Sequence, residues 1–424
     1  LLLSAWGVLF GLYLLLLREA KGLSLWPLLL LAGLARLLLL PSLPMLSDDV
    51  YRFLWDGHLL LSGWHPFSHP PSWYMQPGAP LGEGITPALY TLLNSKDYFT
   101  IYPPLCQALF AAAAWLGGDS LRLSVLVLRM GILLAEGGSL WLLLKLLPRY
   151  GLPQRRVLLY ALNPLVVLEL SGNLHPEALA VFFLLLLLLF VKREGDVKGD
   201  RAGIPLGPSA LAFAGAVASK LWPLMLGPLL VHWLGWRRGL RWGLLAGLFC
   251  LLLFAPLFGT ALLGGMQESL ALYYQRFEFN ASLYYLLRAL GSWWLGYNPI
   301  ARLGPLLALL ATGGILWLSL RPAARRLPLP LSMGMLYSLF LLCSTTVHPW
   351  YVVPLLALMP FTPFRFPLVW SGLIFLTYAG YTPSGYQEIG ALVALEYGGA
   401  GLWLLWEWWP GIRKGRGVEE AAEH

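Results

Sequence analysis

Asp48 and Asp49 stand side by side in the segment Ser47-Asp-Asp-Val-Tyr-Arg-Phe-Leu-Trp-Asp-Gly57. Asp49, Arg52 and Asp56 follow at i, i+3 and i+7, so on a helix they share one face. Ser47 is placed to cap that helix. Both aspartates then fall in its first turn, where the helix dipole favours anions and keeps them ionised at neutral pH. Three acids beside an arginine and the Tyr51 ring exceed what a cap needs. The chemistry they suit is orienting an acceptor hydroxyl and taking its proton.

Other polar residues punctuate apolar runs. His175 and Glu177 sit in Asn173-Leu-His-Pro-Glu177, where Pro176 opens a helix. His348 and Trp350 lie in His348-Pro-Trp-Tyr351, a polar turn between two apolar stretches. Tyr102 belongs to Tyr98-Phe-Thr-Ile-Tyr-Pro-Pro104, which the two prolines make rigid and extended. Lys220 ends an apolar run, and Arg276 and Arg288 flank residues 277–285. Any of these three cations could hold a phosphate as it leaves. Arg122, Arg129 and Glu136 recur every seven residues. This pattern predicts an interhelical ion network for Arg129 and Glu136 with Arg122 nearer the site, while Arg36 and Glu169 read as structural.

The elements that carry these groups are set by composition. The chain has 424 residues, 58% hydrophobic and only 12% charged, with a mean hydropathy of +0.67. Soluble domains are nearer about 45–50% apolar and about 25% charged. This excess excludes a soluble enzyme, a disordered chain and a disulfide scaffold; it predicts an all-α, polytopic integral membrane protein. Cys106, Cys250 and Cys343 show no metal or redox spacing. Spans are expected near 1–17, 23–40, 123–146, 157–172, 177–191, 203–219, 222–236, 242–258, 303–320, 329–346, 351–364, 366–381 and 390–409, about 11–13 transmembrane helices in a single domain over 1–424.

Alternate connections carry the positive charge. Arg18 with Lys21, and the stretches 145–156, 192–201, 237–241, 321–326, 365 and 413–416, hold 20 of the 29 Lys and Arg residues. They are therefore expected in the cytoplasm, as is the tail 410–424. The net charge of +8 is a topology signal rather than a nucleic-acid surface. The opposite connections are 41–122, 173–176, 259–302, 347–350 and 382–389, and they hold five of the seven histidines. The chemical face is thus the non-cytoplasmic one. The apolar stretch 105–118 in the first long outer loop is expected as an interfacial helix, and 259–302 forms a second long outer loop. The chain starts with Leu, so a processed start is an expectation.

Six segments in order resemble the bacterial polyprenyl-phosphate-mannose-type mannosyltransferases of the GT-C superfamily. They are the acidic segment 47–57, Thr100-Ile-Tyr-Pro-Pro104, Gly172-Asn-Leu-His-Pro-Glu177, Ser219-Lys-Leu-Trp-Pro223, Phe279-Asn-Ala-Ser-Leu-Tyr-Tyr285 and His348-Pro-Trp-Tyr351. The resemblance covers about residues 36–365 and extends, more distantly, to eukaryotic GPI and dolichol-linked mannosyltransferases. It implies a multi-helix GT-C fold in the inner or plasma membrane, with the site on the periplasmic or extracellular face. It implies inverting, metal-independent transfer of a hexose, here mannose, from a polyprenyl-phosphate donor to a glycan or glycolipid. The first acid of the pair, Asp48, maps to the base, with Asp49 close behind. Glu177 replaces the Asp that relatives often carry there.

Other functions make different demands. A flippase for lipid-linked sugars also needs a greasy cavity with cations, but commonly shows inverted repeats, and no repeat is visible. A non-catalytic assembly subunit would fill the acid cluster with salt bridges. A divalent cation on Asp48, Asp49, His175 and Glu177 is the metal-dependent alternative.

Overall fold

The computed structural model describes residues 1–80, 82–191, 204–382 and 385–409. The basic connection 192–201 and the tail 410–424 lie outside the described residues. Helices dominate. Among the described residues the sole sheet is a two-stranded antiparallel hairpin, Tyr381–Thr382 against Gly385–Tyr386.

Among the described residues four helices are long and apolar enough to cross a membrane: Leu2–Glu19, Leu121–Arg149, Trp236–Leu257 and Ile300–Leu320. The stretches expected as separate spans near 157–172 and 177–191 end in one bent pair, Pro164–Gly172 and Glu177–Val191, with an angle of 117° between them. Leu174 adopts φ 67° at the break, and Pro176 cannot extend the hydrogen-bond ladder. Seven further apolar helices among the described residues have 10–17 residues. At about 1.5 Å per residue they fall short of the roughly 30 Å hydrocarbon core. Of the about 11–13 spans expected, only four or five reach across by length and composition among the described residues, and Gly390–Trp408 is not one of them. The fold is an all-α polytopic membrane protein.

The centre of the molecule is built from apolar surfaces and small residues. Glu177–Val191 is hydrophobic on all sides, and Val181, Leu184, Leu185, Leu187 and Leu188 are fully buried. It packs between Leu121–Arg149 and Leu206–Ser219. The latter helix is rich in Ala and Gly, and a Cβ on Gly215 would meet the Phe183 ring at 2.5 Å. Small residues let these backbones approach.

Both long outer loops fold into helices. The first holds Asp49–Leu61 and Pro104–Gly117, which pack face to face. A Cβ on Gly57 would lie 2.3 Å from the Phe110 carbonyl oxygen, so the glycine that closes the acidic segment sets this approach. Pro104–Gly117 is the expected helix of this loop. The second loop forms Thr260–Gln275 and Leu283–Leu295.

The buried charges bear out an interhelical ion pair at Glu136 and correct the placing of Arg122. Glu136 pairs with Arg36 at 2.8 Å and accepts the Ser171 hydroxyl. Arg129 instead donates to the carbonyls of Leu40, Ser42 and Ser171 at 2.8, 2.7 and 2.8 Å. Two turns of helix separate residues 129 and 136 by about 10 Å, and Arg36 enters from a neighbouring helix to take the carboxylate. Arg122 is exposed and lies outside the cavity described next.

Candidate active site

A cavity of about 550 Å³ opens beside the acid pair. Its wall combines Asp48, Asp49, Arg52 and Tyr102 from the first outer loop, Phe277, Glu278 and Phe279 from the second, and His348, Trp350, Lys220, Tyr378, Tyr381 and Tyr386. Leu2, Met45, Leu46 and Leu272 add an apolar side. Four of the five connections read as non-cytoplasmic contribute to it. None of the described basic connections does.

The acid pair is positioned by a helix start. The helix begins at Asp49, so Asp48 itself holds the N-cap position and Ser47 stands one residue further out than expected. The Ser47 hydroxyl accepts from the Asp49 N–H at 3.3 Å. Asp49 accepts from the Asn94 side-chain amide at 2.9 Å and from the Tyr102 hydroxyl at 3.3 Å. The Asp48 side chain makes no cap hydrogen bond. Partial burial, then the neighbouring Asp49 charge, raise the Asp48 carboxyl above its usual value.

Arg52 and Asp56 hold the scaffold. They form a buried i, i+4 pair at 2.8 Å. Arg52 also donates to the Tyr98 carbonyl at 2.8 Å. Asp56 accepts from Thr100 and, at 3.1 Å, from Gln107. Together they tie residues 95–107 to the acid-bearing helix, and Arg52 reaches the cavity wall while Asp56 does not.

Besides Arg52, the cavity wall carries the cation Lys220. Its ammonium lies 2.8 Å from Glu177 and 5.1 Å from the centre of the Tyr102 ring. Tyr102 is held protonated, well above the ordinary phenol range, by burial and by the Asp49 charge. It therefore donates towards Asp49 while its ring faces Lys220.

His348 stacks on Trp350, with ring centres 4.4 Å apart and planes 3° from parallel. Burial pushes the His348 imidazole down to about 3, so it is neutral. Its Nδ1 is buried without a protein partner, and the residue lines the cavity. Behind Trp350, His175 stacks at 3.6 Å and lies 3.4 Å from Glu169.

Six residues expected at the site do not line the cavity: Tyr51, Asp56, His175, Glu177, Arg276 and Arg288. Tyr51 is packed among apolar side chains. His175 and Glu177 serve one layer back, through Trp350 and Lys220. Arg276 is exposed. Arg288 pairs with Glu278 and lies over the Tyr285 ring, because the loop between the two arginines folds back on its own acid. Among the described residues no three His, Cys, Asp or Glu side chains group as metal ligands; His175 and Glu177 face other partners than the acid pair.

Other wall residues carried no signal in the sequence: Asn94 in a polar turn, and Tyr378, Tyr381 and Tyr386 beyond the last motif. Asn280, inside a motif of unassigned role, has φ 45°. Its N–H donates to Glu388 at 3.0 Å and its side-chain amide to Glu396 at 3.1 Å. Next to it, Phe279 pairs with Thr345 and Val347 through backbone bonds of 3.0 and 2.9 Å. These bonds set Phe279 against His348, with ring centres 4.5 Å apart.

The fold and this cavity define a polytopic helical membrane protein with a carboxylate pair and a lysine on one chamber. Comparison with known families goes further: residues 1–235 match the family model described as "Alpha-(1->6)-mannopyranosyltransferase, N-terminal domain", and the chain belongs to that family. Similar proteins include alpha-(1->6)-mannopyranosyltransferase A of Corynebacterium glutamicum, 24% identical over 160 residues, which are 37% of this chain and 30% of that one. An alpha-(1->6)-mannopyranosyltransferase of Mycobacterium tuberculosis is 28% identical over 178 residues, 41% of this chain and 29% of that one. The match thus spans about three tenths of the length of these curated relatives. No solved structure matches the chain.

Proposed function

We propose that the protein is a membrane glycosyltransferase that moves mannose from a polyprenyl-phosphate donor to a hydroxyl of an acceptor mannoside, with inversion and without a metal, at the non-cytoplasmic face. The observation that carries this reading is the placement of Asp48, Lys220 and His348 on one 550 Å³ chamber with an apolar side. The names of the relatives supply mannose and the α-1,6 linkage. The sidedness rests on which connections build the wall.

The acceptor oxygen bonds to the anomeric carbon as the carbon–oxygen bond to phosphate breaks. The hydroxyl proton passes to Asp48, whose raised affinity for protons makes it a better base than an ordinary aspartate. Asp49, gripped by Asn94 and Tyr102, orients the hydroxyl. Lys220 meets the charge that develops on the leaving phosphate, which stays on its lipid. Neutral His348 offers the donor a polar ring on the cavity wall without adding charge.

The test is a transfer assay with polyprenyl-phosphate mannose, glucose and arabinose as competing donors and α-1,6-mannobiose as acceptor. Mannose transfer that survives a strong chelator, and falls at least about 100-fold in Asp48→Asn, is the expected result. Full activity in both Asp48→Asn and Asp49→Asn removes the proposal.

A further inference from the structure

The cavity has an aromatic side that the transfer chemistry does not use. Tyr378, Tyr381 and Tyr386 line it, and all three lie beyond residue 235, where the family match ends. Tyr381 and Tyr386 are directly paired in the short hairpin, with ring centres 4.9 Å apart. Tyr386 meets Phe279 at 4.7 Å, and Tyr378 meets Tyr381 at 6.0 Å. Paired backbone and packed rings thus hold the group in place before any ligand arrives.

These rings differ in what they offer. The Tyr378 hydroxyl is committed to Glu169 at 2.8 Å. Tyr381 is 54% exposed, and its hydroxyl has no hydrogen-bond partner among the described residues. The charges of Asp49 and Asp48, after burial, help push this phenol up to about 12, so the ring shares the field of the acid pair. A rigid aromatic face with a free hydroxyl, beside carboxylates, suits a neutral sugar ring. Its axial C–H groups lie on the negative π-face, and its hydroxyls reach the phenol and the acids. A polyprenyl chain would leave that hydroxyl and the nearby charges unpaired, whereas the cavity also offers apolar side chains at Leu2, Met45 and Leu46.

We infer that the Tyr381–Tyr386 ledge is a subsite for a pyranose ring of the acceptor, next to the sugar that is extended. This rests on the transferase reading and adds where the acceptor lies and what recognises it. It makes the acceptor at least a disaccharide, since one ring must present its hydroxyl to Asp48 while a second stacks.

The test reads binding apart from turnover. Saturation-transfer NMR and calorimetry with α-1,6-mannobiose are run on the full detergent-solubilised chain, as wild type, Tyr381→Ala and Tyr381→Phe. Tyr381→Ala is expected to weaken mannobiose binding and raise the acceptor KM about tenfold, the scale of one lost aromatic contact. Tyr381→Phe keeps the ring and is expected to restore most of the affinity. Equal binding to wild type and Tyr381→Ala, no binding to wild type, or a rise in donor KM in place of acceptor KM overturns the ledge. Tyr381-dependent binding without any transfer keeps the ledge and defeats the transferase reading.

Discussion

The Lys220 ammonium sits 2.8 Å from the Glu177 carboxylate and lies over the Tyr102 ring that bonds Asp49. The side of the chamber that carries the acid pair and the side that carries the lysine are therefore joined through Tyr102. Glu177 comes from the second arm of the bent helix pair and Lys220 from the end of Leu206–Ser219. Glu177 fixes the place of a cation that would otherwise roam on four methylenes. Lys220→Ala should lower kcat/KM by about 100-fold, as for loss of a group that meets developing charge. Because Glu177 acts through Lys220, Glu177→Ala should add little on top of it. A double-mutant cycle on kcat/KM checks this; fully additive losses would uncouple the pair.

The pH profile follows from Asp48. Its carboxyl holds its proton to a higher pH than an ordinary aspartate, since burial and Asp49 both penalise the ionised form. The base form is lost as pH falls, so the acid limb of kcat/KM should lie above the usual aspartate value of 3.8. Removing the neighbouring charge in Asp49→Asn should move the limb of the residual activity to lower pH. A limb that stays put or moves up would show that Asp48 is not the group titrating.

The acidic segment and the other ordered motifs, and the alternation of basic and non-basic connections, were legible because each is local. Helix spacing, proline and the cost of basic residues in lipid act within a few turns of chain. What the sequence withheld is the choice among partners. Glu136 has arginines at 36 and 129 to select from, and only helix packing decides for Arg36. Arg276 and Arg288 looked like phosphate clamps because their distance from Glu278 in space is invisible in a loop of unknown course. Asn94 and Tyr381 sit in stretches without periodicity, and reach the cavity only because the Arg52–Asp56 clamp and the hairpin bring them there.

His348 illustrates the same point at the level of charge. A histidine at an outer boundary could be a cation for phosphate. Packed between Trp350 and Phe279 on the cavity wall, however, it loses much of the hydration that charge requires. The imidazole should stay neutral from pH 5 to 8, far above the value of about 3 to which burial pushes it. Nitrogen-15 NMR of the labelled ring reads this directly. Titration near 6.5 would make it a second phosphate cation and would add a basic-side loss of rate.

The Arg52–Asp56 pair predicts a separation of stability from chemistry. Both partners are buried, and Asp56 also receives Thr100 and Gln107. Asp56→Ala leaves a guanidinium and two further donors without their acceptor, at a cost of about 3–5 kcal/mol. Asp56→Asn keeps one carbonyl acceptor but removes the charge and should cost less. Because Arg52 also anchors the Tyr98 carbonyl, the loss loosens residues 94–102, and with them the Asn94 and Tyr102 bonds to Asp49. Thermal unfolding in detergent should therefore fall in the order wild type, Asp56→Asn, Asp56→Ala, and kcat should follow the same order. In Asp48→Asn, which touches no part of this clamp, kcat should collapse while the unfolding temperature stays near wild type. Asp56→Ala matching wild type in unfolding temperature would mean the clamp is not what holds the acid-bearing helix in place.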